Sequence, residues 1–220
     1  VNAGAVNSWL FNRDTVDRVL QHLMEHGHKV AGGDRLAKTI IFARNHDHAV
    51  FIESRFNHHY PHHKGHFARV IDHQAKFAQS LIDDFSQQDK EPHIAISVDM
   101  LDTGIDVPEV ANLVFFKPVY SKIKFWQMIG RGTRLCPGLF GPGADKEDFR
   151  VFDFCGNFDF FHENPRGIEA GDAVPLGVRL FRARVRLLGH VQQLPDLDPE
   201  GRLGAGLIDG LCATVSAMNR

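Results

Sequence analysis

The feature that most constrains the fold of this chain is a regular alternation between short apolar runs and stretches with helical spacing. Residues 39–43 form a β-branched run, as expected of a strand buried on both faces. The next stretch places Ala49, Ile52 and Phe56 at helical spacing. Such alternation predicts an α/β domain in which helices cover both faces of a central parallel sheet. Four more runs read as strands, at residues 67–71, 93–98, 112–116 and 150–154.

Two helices have recognisable ends in the sequence. Asn12 can cap a helix whose apolar positions follow the 3.6-residue period, and Gly27 can end it. Ser121 can cap another helix, which we predict to continue to Leu135. This second helix would carry the most informative polar residues of the chain.

The alternation stops near Asn164, where glycines and prolines interrupt it, and a basic segment at residues 179–186 follows. The chain has 220 residues, which is enough for one domain with a sizeable core. We therefore predict a main domain at residues 1–163 and a short, partly helical C-terminal extension at residues 164–220.

Composition excludes several classes of protein. The formal net charge of −2 argues against a simple module that binds DNA by neutralising phosphates. No apolar stretch approaches the roughly 20 residues of a membrane span, so we expect no membrane partner and a cytoplasmic location.

Five histidines between His58 and His66 are interrupted by a proline and a glycine, which predicts a solvated loop and no metal site. Cys136, Cys155 and Cys212 are odd in number, which suits a reducing compartment.

A glycine- and arginine-rich segment follows the cap at Ser121. On a helix, Gln127, Arg131 and Arg134 would share one face. Guanidinium groups are permanently charged and donate paired hydrogen bonds, so two of them can stabilise a phosphoryl group during its transfer. Gly130 and Gly132 would let a partner backbone approach closely. The alternative is a solvated basic helix end that favours the helix dipole.

A second polar segment, residues 99–109, follows the strand at residues 93–98, and ligands of parallel sheets collect at such carboxyl ends. Gly104 suits a tight turn, and Asp106 can accept a hydrogen bond from a nucleotide ribose. Thr103 can contact a nucleic-acid phosphate. The alternative is an ordinary turn in which aspartates hold the backbone.

These segments, taken in order, resemble motifs of the superfamily 2 helicases and translocases. Residues 127–134 resemble the QxxGRxxR motif, residues 96–109 the fifth motif, and residues 39–45 the fourth. Longer strings within residues 8–162 resemble the motor (R) subunit of type I restriction enzymes. The resemblance implies a three-layer RecA-like domain of the P-loop NTPase type, the second of two motor domains.

The resemblance also implies roles for single residues. Val98 stands where many family members have a threonine, so that one DNA contact is not carried over. Arg131 and Arg134 would be arginine fingers. The remaining implied roles are γ-phosphate sensing by Gln127, nucleotide binding by Gly104, Asp106 and Gly130, and nucleic-acid binding by Arg44 and Thr103.

The implied ligands are ATP and Mg²⁺, bound mainly by an upstream motor domain, because this chain has no G-x-x-x-x-G-K-S/T loop. The implied partners are double-stranded DNA, the methyltransferase and specificity subunits, and that upstream motor domain. We therefore expect a fragment of an ATP-dependent DNA-translocating endonuclease subunit, inactive in isolation. Two alternatives are the C-terminal motor domain of another superfamily 2 DNA or RNA helicase and a motor-like binding module that does not hydrolyse nucleotide.

Overall fold

A computed structural model describes residues 9–75, 77–101, 106–168, 176–193, 198 and 201–218 of the chain. Two compact units are present, residues 1–168 and 169–220. The predicted division into a motor domain at residues 1–163 and a C-terminal extension at residues 164–220 stays a prediction. The helices of the first unit are α1 (Arg13–His26), α2 (His46–His59), α3 (Ala78–Phe85), α4 (Lys122–Ile129) and α5 (Asn157–Glu163). Its strands are β1 (Lys29–Val30), β2 (Arg35–Leu36), β3 (Lys38–Phe42), β4 (Ala68–Ile71), β5 (Ile94–Ser97), β6 (Val110–Phe115), β7 (Cys136–Gly141), β8 (Ala144–Lys146) and β9 (Arg150–Asp153).

The first unit is organised around a five-stranded sheet in the order β4-β5-β3-β6-β9. Each neighbouring pair in this sheet is parallel. The central strand β3 pairs Phe42 with Ser97 on one side and with Phe115 on the other, so the carboxyl ends of these strands lie side by side. The predicted α/β fold with a central parallel sheet is confirmed.

Helices cover both faces of the sheet because side chains along a strand alternate in direction. Ile41 belongs to the core that includes α1 and α2, whereas Ile40 and Phe42 belong to the core that includes α3 and α4. These three side chains are fully buried, and each such burial stabilises the fold by roughly 1.5–3 kcal/mol. The continuous apolar run that predicted β3 is thus the centre of a three-layer structure.

Helix α1 shows how local sequence sets the element boundaries. The Asn12 side chain accepts a hydrogen bond from the Thr15 amide at 3.1 Å, which satisfies one unpaired donor of the first turn. A Cβ at Gly27 would lie 2.6 Å from Leu36 and 2.7 Å from the Leu23 carbonyl, so only glycine fits where this helix ends. Both predicted ends of the helix are confirmed.

Three parts of the first unit differ from the prediction. Helix α4 ends at Ile129, although the pattern predicted a helix to Leu135. Two antiparallel pairs, β1 with β2 and β7 with β8, lie outside the main sheet and were not predicted. The β7–β8 hairpin follows the arginine-rich segment directly, and it matters for the site described below.

The second unit contains two helices, α6 (Leu176–Gln193) and α7 (Arg202–Met218), which pack against each other. The carboxylate of Asp198 accepts hydrogen bonds from the amides of Leu203 and Gly204, at 3.1 and 2.7 Å, and so begins α7. The predicted helical character of this region is confirmed. Within the described residues, none of the helices combines the length and apolar character needed to cross a membrane.

Candidate functional site

The chain leaves α4 through a tight turn, residues 130–134, named the arginine turn from here on. The amides of Arg131, Gly132 and Thr133 donate to the carbonyls three residues earlier, at 3.1, 3.0 and 3.4 Å. Spacing of three residues is typical of a tighter coil than the α-helix. Arg134 then lies in the connection to β7. The prediction that Gln127, Arg131 and Arg134 share one face of a helix is therefore wrong, since only Gln127 lies within α4.

Packing at Gly132 explains the end of the helix. A Cβ at this position would lie 2.2 Å from the Phe149 ring, closer than any side chain tolerates. Phe149 directly precedes β9, so the arginine turn rests on the amino-terminal end of the sheet. Each glycine in the sequence 130–132 also lowers helix propensity by about 1 kcal/mol relative to alanine. The absence of a side chain at Gly132 therefore leaves room for the Phe149 ring of the same chain.

The arginine turn brings together several predicted site residues. The Arg134 Nε lies 3.0 Å from Asp106 Oδ1, and both side chains are more than half exposed, at 62% and 66%. Arg131 Nε donates to the Gln127 carbonyl at 3.3 Å, which ties the guanidinium back to the end of α4. The Gln127 side chain is exposed. Thr103 and Gly104 lie outside the described residues, so their predicted roles stay predictions.

A buried lysine that was not predicted binds the backbone on both sides of the Arg134–Asp106 pair. Lys146 is 3% exposed, and its ammonium donates to the Arg134 carbonyl at 2.8 Å and to the Pro108 carbonyl at 3.0 Å. Burial lowers the pKa of Lys146 from its ordinary value. Lys146 lies in β8, within a hairpin that the apolar pattern of the sequence did not predict. Its contacts are set by residues distant in sequence.

A different group of polar residues occupies the carboxyl-terminal edge of the sheet. Arg44 follows β3 and is exposed. Its amide donates to Nδ1 of His48 at 3.3 Å, and the His48 amide donates to the Asn45 side chain at 2.9 Å, capping α2. The His48 ring is fully buried 4.9 Å from the Phe116 ring, and burial lowers the pKa of His48 to about 4. A neutral histidine therefore supports the backbone of Arg44.

Two more strand ends place charges at this edge. Asp99 follows β5 in a left-handed conformation with φ of 58°, an uncommon conformation for a residue other than glycine. Its carboxylate lies 3.0 Å from the Lys117 ammonium and 3.6 Å from that of Lys124. Val98 is buried in the core beside it, so it offers no polar contact at this surface. Asp99 and Lys117 were not predicted as site residues, although each directly follows a predicted strand.

The sheet holds these two groups apart. Arg44 follows the carboxyl end of β3, whereas Asp106 and Pro108 precede the amino end of the neighbouring parallel strand β6. At about 3.3 Å per residue, the strands separate the groups by roughly 15–20 Å. Arg44 therefore lies at the carboxyl-terminal edge of the sheet, whereas Asp106 and the arginine turn lie at its amino-terminal end.

Histidines and cysteines in the described ranges do not form a metal-binding group of three or more ligands. The predicted solvated histidine loop is partly wrong, because His63 stacks on Phe67 at 4.0 Å and His59 lies 3.0 Å from the Asp17 carboxylate. Burial raises the pKa of the Cys155 thiol to about 12, which makes it a poor nucleophile.

Comparison with known proteins identifies the family. The sequence model of one protein family, the helicase conserved C-terminal domain, matches residues 16–136. This range includes both Arg44 and the arginine turn. The chain belongs to this family. It is 40% identical over 82 residues to the type I restriction enzyme EcoKI endonuclease subunit of Escherichia coli strain K12. That alignment covers 37% of this chain and 6% of the relative, so the chain spans a small part of that protein.

A solved structure is similar over a longer stretch. It is a fragment of an HsdR subunit of a type I restriction enzyme from Vibrio vulnificus YJ016, with a TM-score of 0.59 and 25% identity. The match covers 71% of this chain and 29% of that chain. The predicted RecA-like fold and the predicted likeness to the motor subunit of type I restriction enzymes are confirmed.

Proposed function

We propose that this chain is the second motor domain of an ATP-driven DNA-translocating subunit in a type I restriction enzyme. In this proposal the arginine turn completes an ATP site, and the carboxyl-terminal edge of the sheet contacts double-stranded DNA. The observation that carries the proposal is the ion pair of Arg134 with Asp106 at one end of the sheet, with Arg131 in the same turn and Arg44 at the opposite end. The two relatives, both named as subunits of type I restriction enzymes, support the choice of system.

The arginine turn fits the phosphate end of a bound nucleotide. Arg134 presents an exposed guanidinium, Arg131 lies three residues before it in the same turn, and Gln127 presents an exposed amide. Permanently charged donors fixed beside a transferring phosphoryl group stabilise the charge that develops on its oxygens. Arg131 and Arg134 would therefore act as arginine fingers, with Gln127 as the sensor of the γ-phosphate. Gly130 would contribute its backbone.

Asp106 can serve two partners at once. One carboxylate oxygen faces Arg134 at 3.0 Å, and a carboxylate has about four acceptor positions in all. The other oxygen can accept a hydrogen bond from a ribose hydroxyl while the first orients the guanidinium. The proposed nucleotide-binding and catalytic residues would then be coupled through a single side chain. Gly104 would shape the turn that precedes it.

The remaining parts of the ATP site would come from an upstream motor domain. The sequence contains no G-x-x-x-x-G-K-S/T motif, so in this proposal the chain supplies only one side of the site. When bound, Mg²⁺ neutralises charge on the β- and γ-phosphate oxygens. This chain's arginines would meet those oxygens from the opposite side of an interdomain cleft. We accordingly predict that the isolated chain neither hydrolyses ATP nor cuts DNA; stoichiometric ATP hydrolysis by the pure chain would contradict this.

DNA would be tracked along the carboxyl-terminal edge. Lys117 is buried on this edge and pairs with Asp99, whereas Arg44 and Lys124 are exposed there. Contacts from such side chains go to phosphates, which fix the position of a duplex without reading its sequence. A net charge of −2 agrees with a few local contacts in place of an extended basic surface. Thr103 would add a phosphate contact. The methyltransferase and specificity subunits would be the protein partners, and recognition of a DNA sequence would reside with them.

The proposal is tested by DNA-stimulated ATP hydrolysis in the protein that joins this chain to an upstream motor domain. Arg131→Ala and Arg134→Ala should each lower turnover by about 10³-fold or more, as loss of an arginine finger does. ATP binding and thermal stability should be retained. Arg13→Ala, which removes an exposed arginine of α1, is the matched control and should leave turnover unchanged. Unchanged turnover in the first two variants would support a motor-like module that does not hydrolyse nucleotide.

A further inference from the structure

The β7–β8 hairpin carries a buried lysine that joins two segments of the proposed nucleotide site. We propose that Lys146 is a positioning residue, which holds the arginine turn and the segment of Asp106 at a fixed separation so that Arg134 reaches its productive place. This inference rests on the proposed function, because it assigns a purpose to Lys146 only if Arg134 acts on ATP.

The geometry of Lys146 is that of a bridge. Its ammonium donates to the Arg134 carbonyl and to the Pro108 carbonyl, 12 and 38 residues away in sequence. Pro108 lies two residues after Asp106, the partner of Arg134. Both hydrogen bonds go to backbone atoms, so they fix the path of the chain and leave the side chains of Arg134 and Asp106 exposed. The Lys146 ammonium therefore fixes the backbone positions from which the side chains of Arg134 and Asp106 extend.

The hairpin is itself well anchored. Lys146 pairs with Cys136 across the antiparallel strands, and the Asp145 carboxylate accepts a hydrogen bond from the Gly138 amide at 2.7 Å. Beyond β8, the Phe149 ring fills the space next to Gly132. The arginine turn is thus held at two points, through Phe149 and through Lys146, with Arg131 in the segment of chain that includes Gly132.

Burial of this lysine favours a positioning role over a general structural one. An ammonium removed from water is costly to the fold, and burial lowers the pKa of Lys146 accordingly. An apolar side chain of similar size would fill the same space without that cost. What such a side chain lacks is donors for the two carbonyls. The hydrogen bonds of Lys146 therefore supply connection between segments, which packing alone does not provide.

The exposed ion pair cannot supply this connection by itself. Arg134 and Asp106 are both more than half exposed, and ion pairs of that kind hold their partners weakly. Catalytic groups need placement to within about 0.5 Å, and a displacement of about 1 Å costs on the order of 10²-fold in rate. The buried bridge beneath the pair is what keeps the pair in place.

The test uses the protein joined to its upstream motor domain, with ATP as substrate and saturating DNA. Lys146→Met should lower kcat by about 10- to 100-fold with little change in the KM for ATP or in the melting temperature. Lys146→Arg, whose guanidinium can donate to both carbonyls, should recover most of the loss. Lys29→Met, which removes an exposed lysine of β1, is the matched control and should leave kcat unchanged.

Coupling to Arg134 separates positioning from general damage. In a protein that already carries Arg134→Ala, adding Lys146→Met should lower kcat by less than about twofold, since groups that act as a unit are not additive. A further 10- to 100-fold loss in that background, or an unchanged kcat for Lys146→Met alone, would overturn the inference. Lys146→Gln gives the same comparison if the methionine variant does not fold. If Arg134→Ala itself leaves turnover unchanged, the proposed function fails together with the inference.

Discussion

The carboxyl-terminal edge of the sheet and the arginine turn hold their polar side chains in different ways. At the carboxyl-terminal edge, Arg44, Asp99 and Lys117 each stand two residues after the last residue of a parallel strand. Their positions follow from the ends of the strands, with local support such as the cap at α2. Contacts between the ends of different strands, such as that of Asp99 with Lys117, add to this arrangement.

The arginine turn depends on distant segments. Arg134 comes from the exit of α4, Asp106 from the loop before β6, and Lys146 from the hairpin that follows. No single element carries all three residues. The comparison shows that one sheet can support a surface defined by local sequence at one end and a site assembled by long-range packing at the other. The two surfaces should therefore respond differently to the same kind of perturbation.

Among changes that leave every charged side chain in place, filling the space at Gly132 should have the largest effect. Gly132→Ala places a methyl group 2.2 Å from the Phe149 ring, so either the ring or the arginine turn must move. ATP turnover should fall by about 10²-fold, because displacement of a catalytic group by about 1 Å has that cost. The affinity for DNA should not change. Steady-state kinetics and DNA titration of the joined protein measure the two quantities.

A compensating change sharpens this prediction. Adding Phe149→Leu to Gly132→Ala provides space for the methyl group and should recover part of the lost turnover. If Gly132→Ala weakens DNA binding as strongly as it slows ATP turnover, the arginine turn is not independent of the carboxyl-terminal edge, and the comparison fails.

Acid should act on the carboxyl-terminal edge through His48. The folded pKa of about 4 lies below the ordinary value of 6.5, so the unfolded chain takes up the proton first. The stability that neutral His48 contributes is complete above about pH 6.5 and is lost as the pH falls toward 4. Between pH 7 and pH 5 the free energy of unfolding should fall by about 2 kcal/mol from this group. Urea denaturation at the two pH values measures the change.

The matched variant for this prediction is His48→Gln, which keeps an acceptor for the Arg44 amide. Its free energy of unfolding should depend less on pH, by about the same 2 kcal/mol. Burial also lowers the pKa of His93, to about 3, but His93 is present in both proteins and its contribution cancels. Equal pH dependence in the two proteins would show that His48 is not the group that responds.

The smallest effect should follow from Arg44→Ala. Loss of one phosphate contact should weaken DNA binding several-fold and reduce the dependence of binding on salt by about one ion. Fluorescence anisotropy with duplex DNA at several salt concentrations measures both. An unchanged salt dependence would remove Arg44 from the DNA surface.

Sequence patterns predicted the parts of the molecule that depend on neighbouring residues. The strands of the main sheet, the ends of α1 and the cap at Ser121 follow from apolar spacing and capping side chains. The end of α4 was missed because it depends on Phe149, 17 positions beyond Gly132 in the sequence. Lys146 was missed for the same reason, since its partner Pro108 lies 38 residues away. A periodic pattern in the sequence does not predict a contact between residues so far apart in the chain.

The likeness to known motifs identified Arg131 and Arg134 without giving their local structure. Arg134 and Asp106 belong to two separate motifs, and their side chains lie 3.0 Å apart, but the helix assumed for the first motif stops five residues before Arg134. A motif records which residues recur together, whereas their geometry is set by packing such as that at Gly132.

The central claim is that the two ends of the sheet perform separate tasks. The most direct test compares Arg134→Ala with Arg44→Ala in the joined protein, measuring kcat for ATP at saturating DNA and the Kd for duplex DNA. The account predicts that Arg134→Ala lowers kcat by about 10³-fold with an unchanged Kd, and that Arg44→Ala raises the Kd several-fold with an unchanged kcat. A fall in kcat and a rise in Kd of similar size in both variants would contradict it.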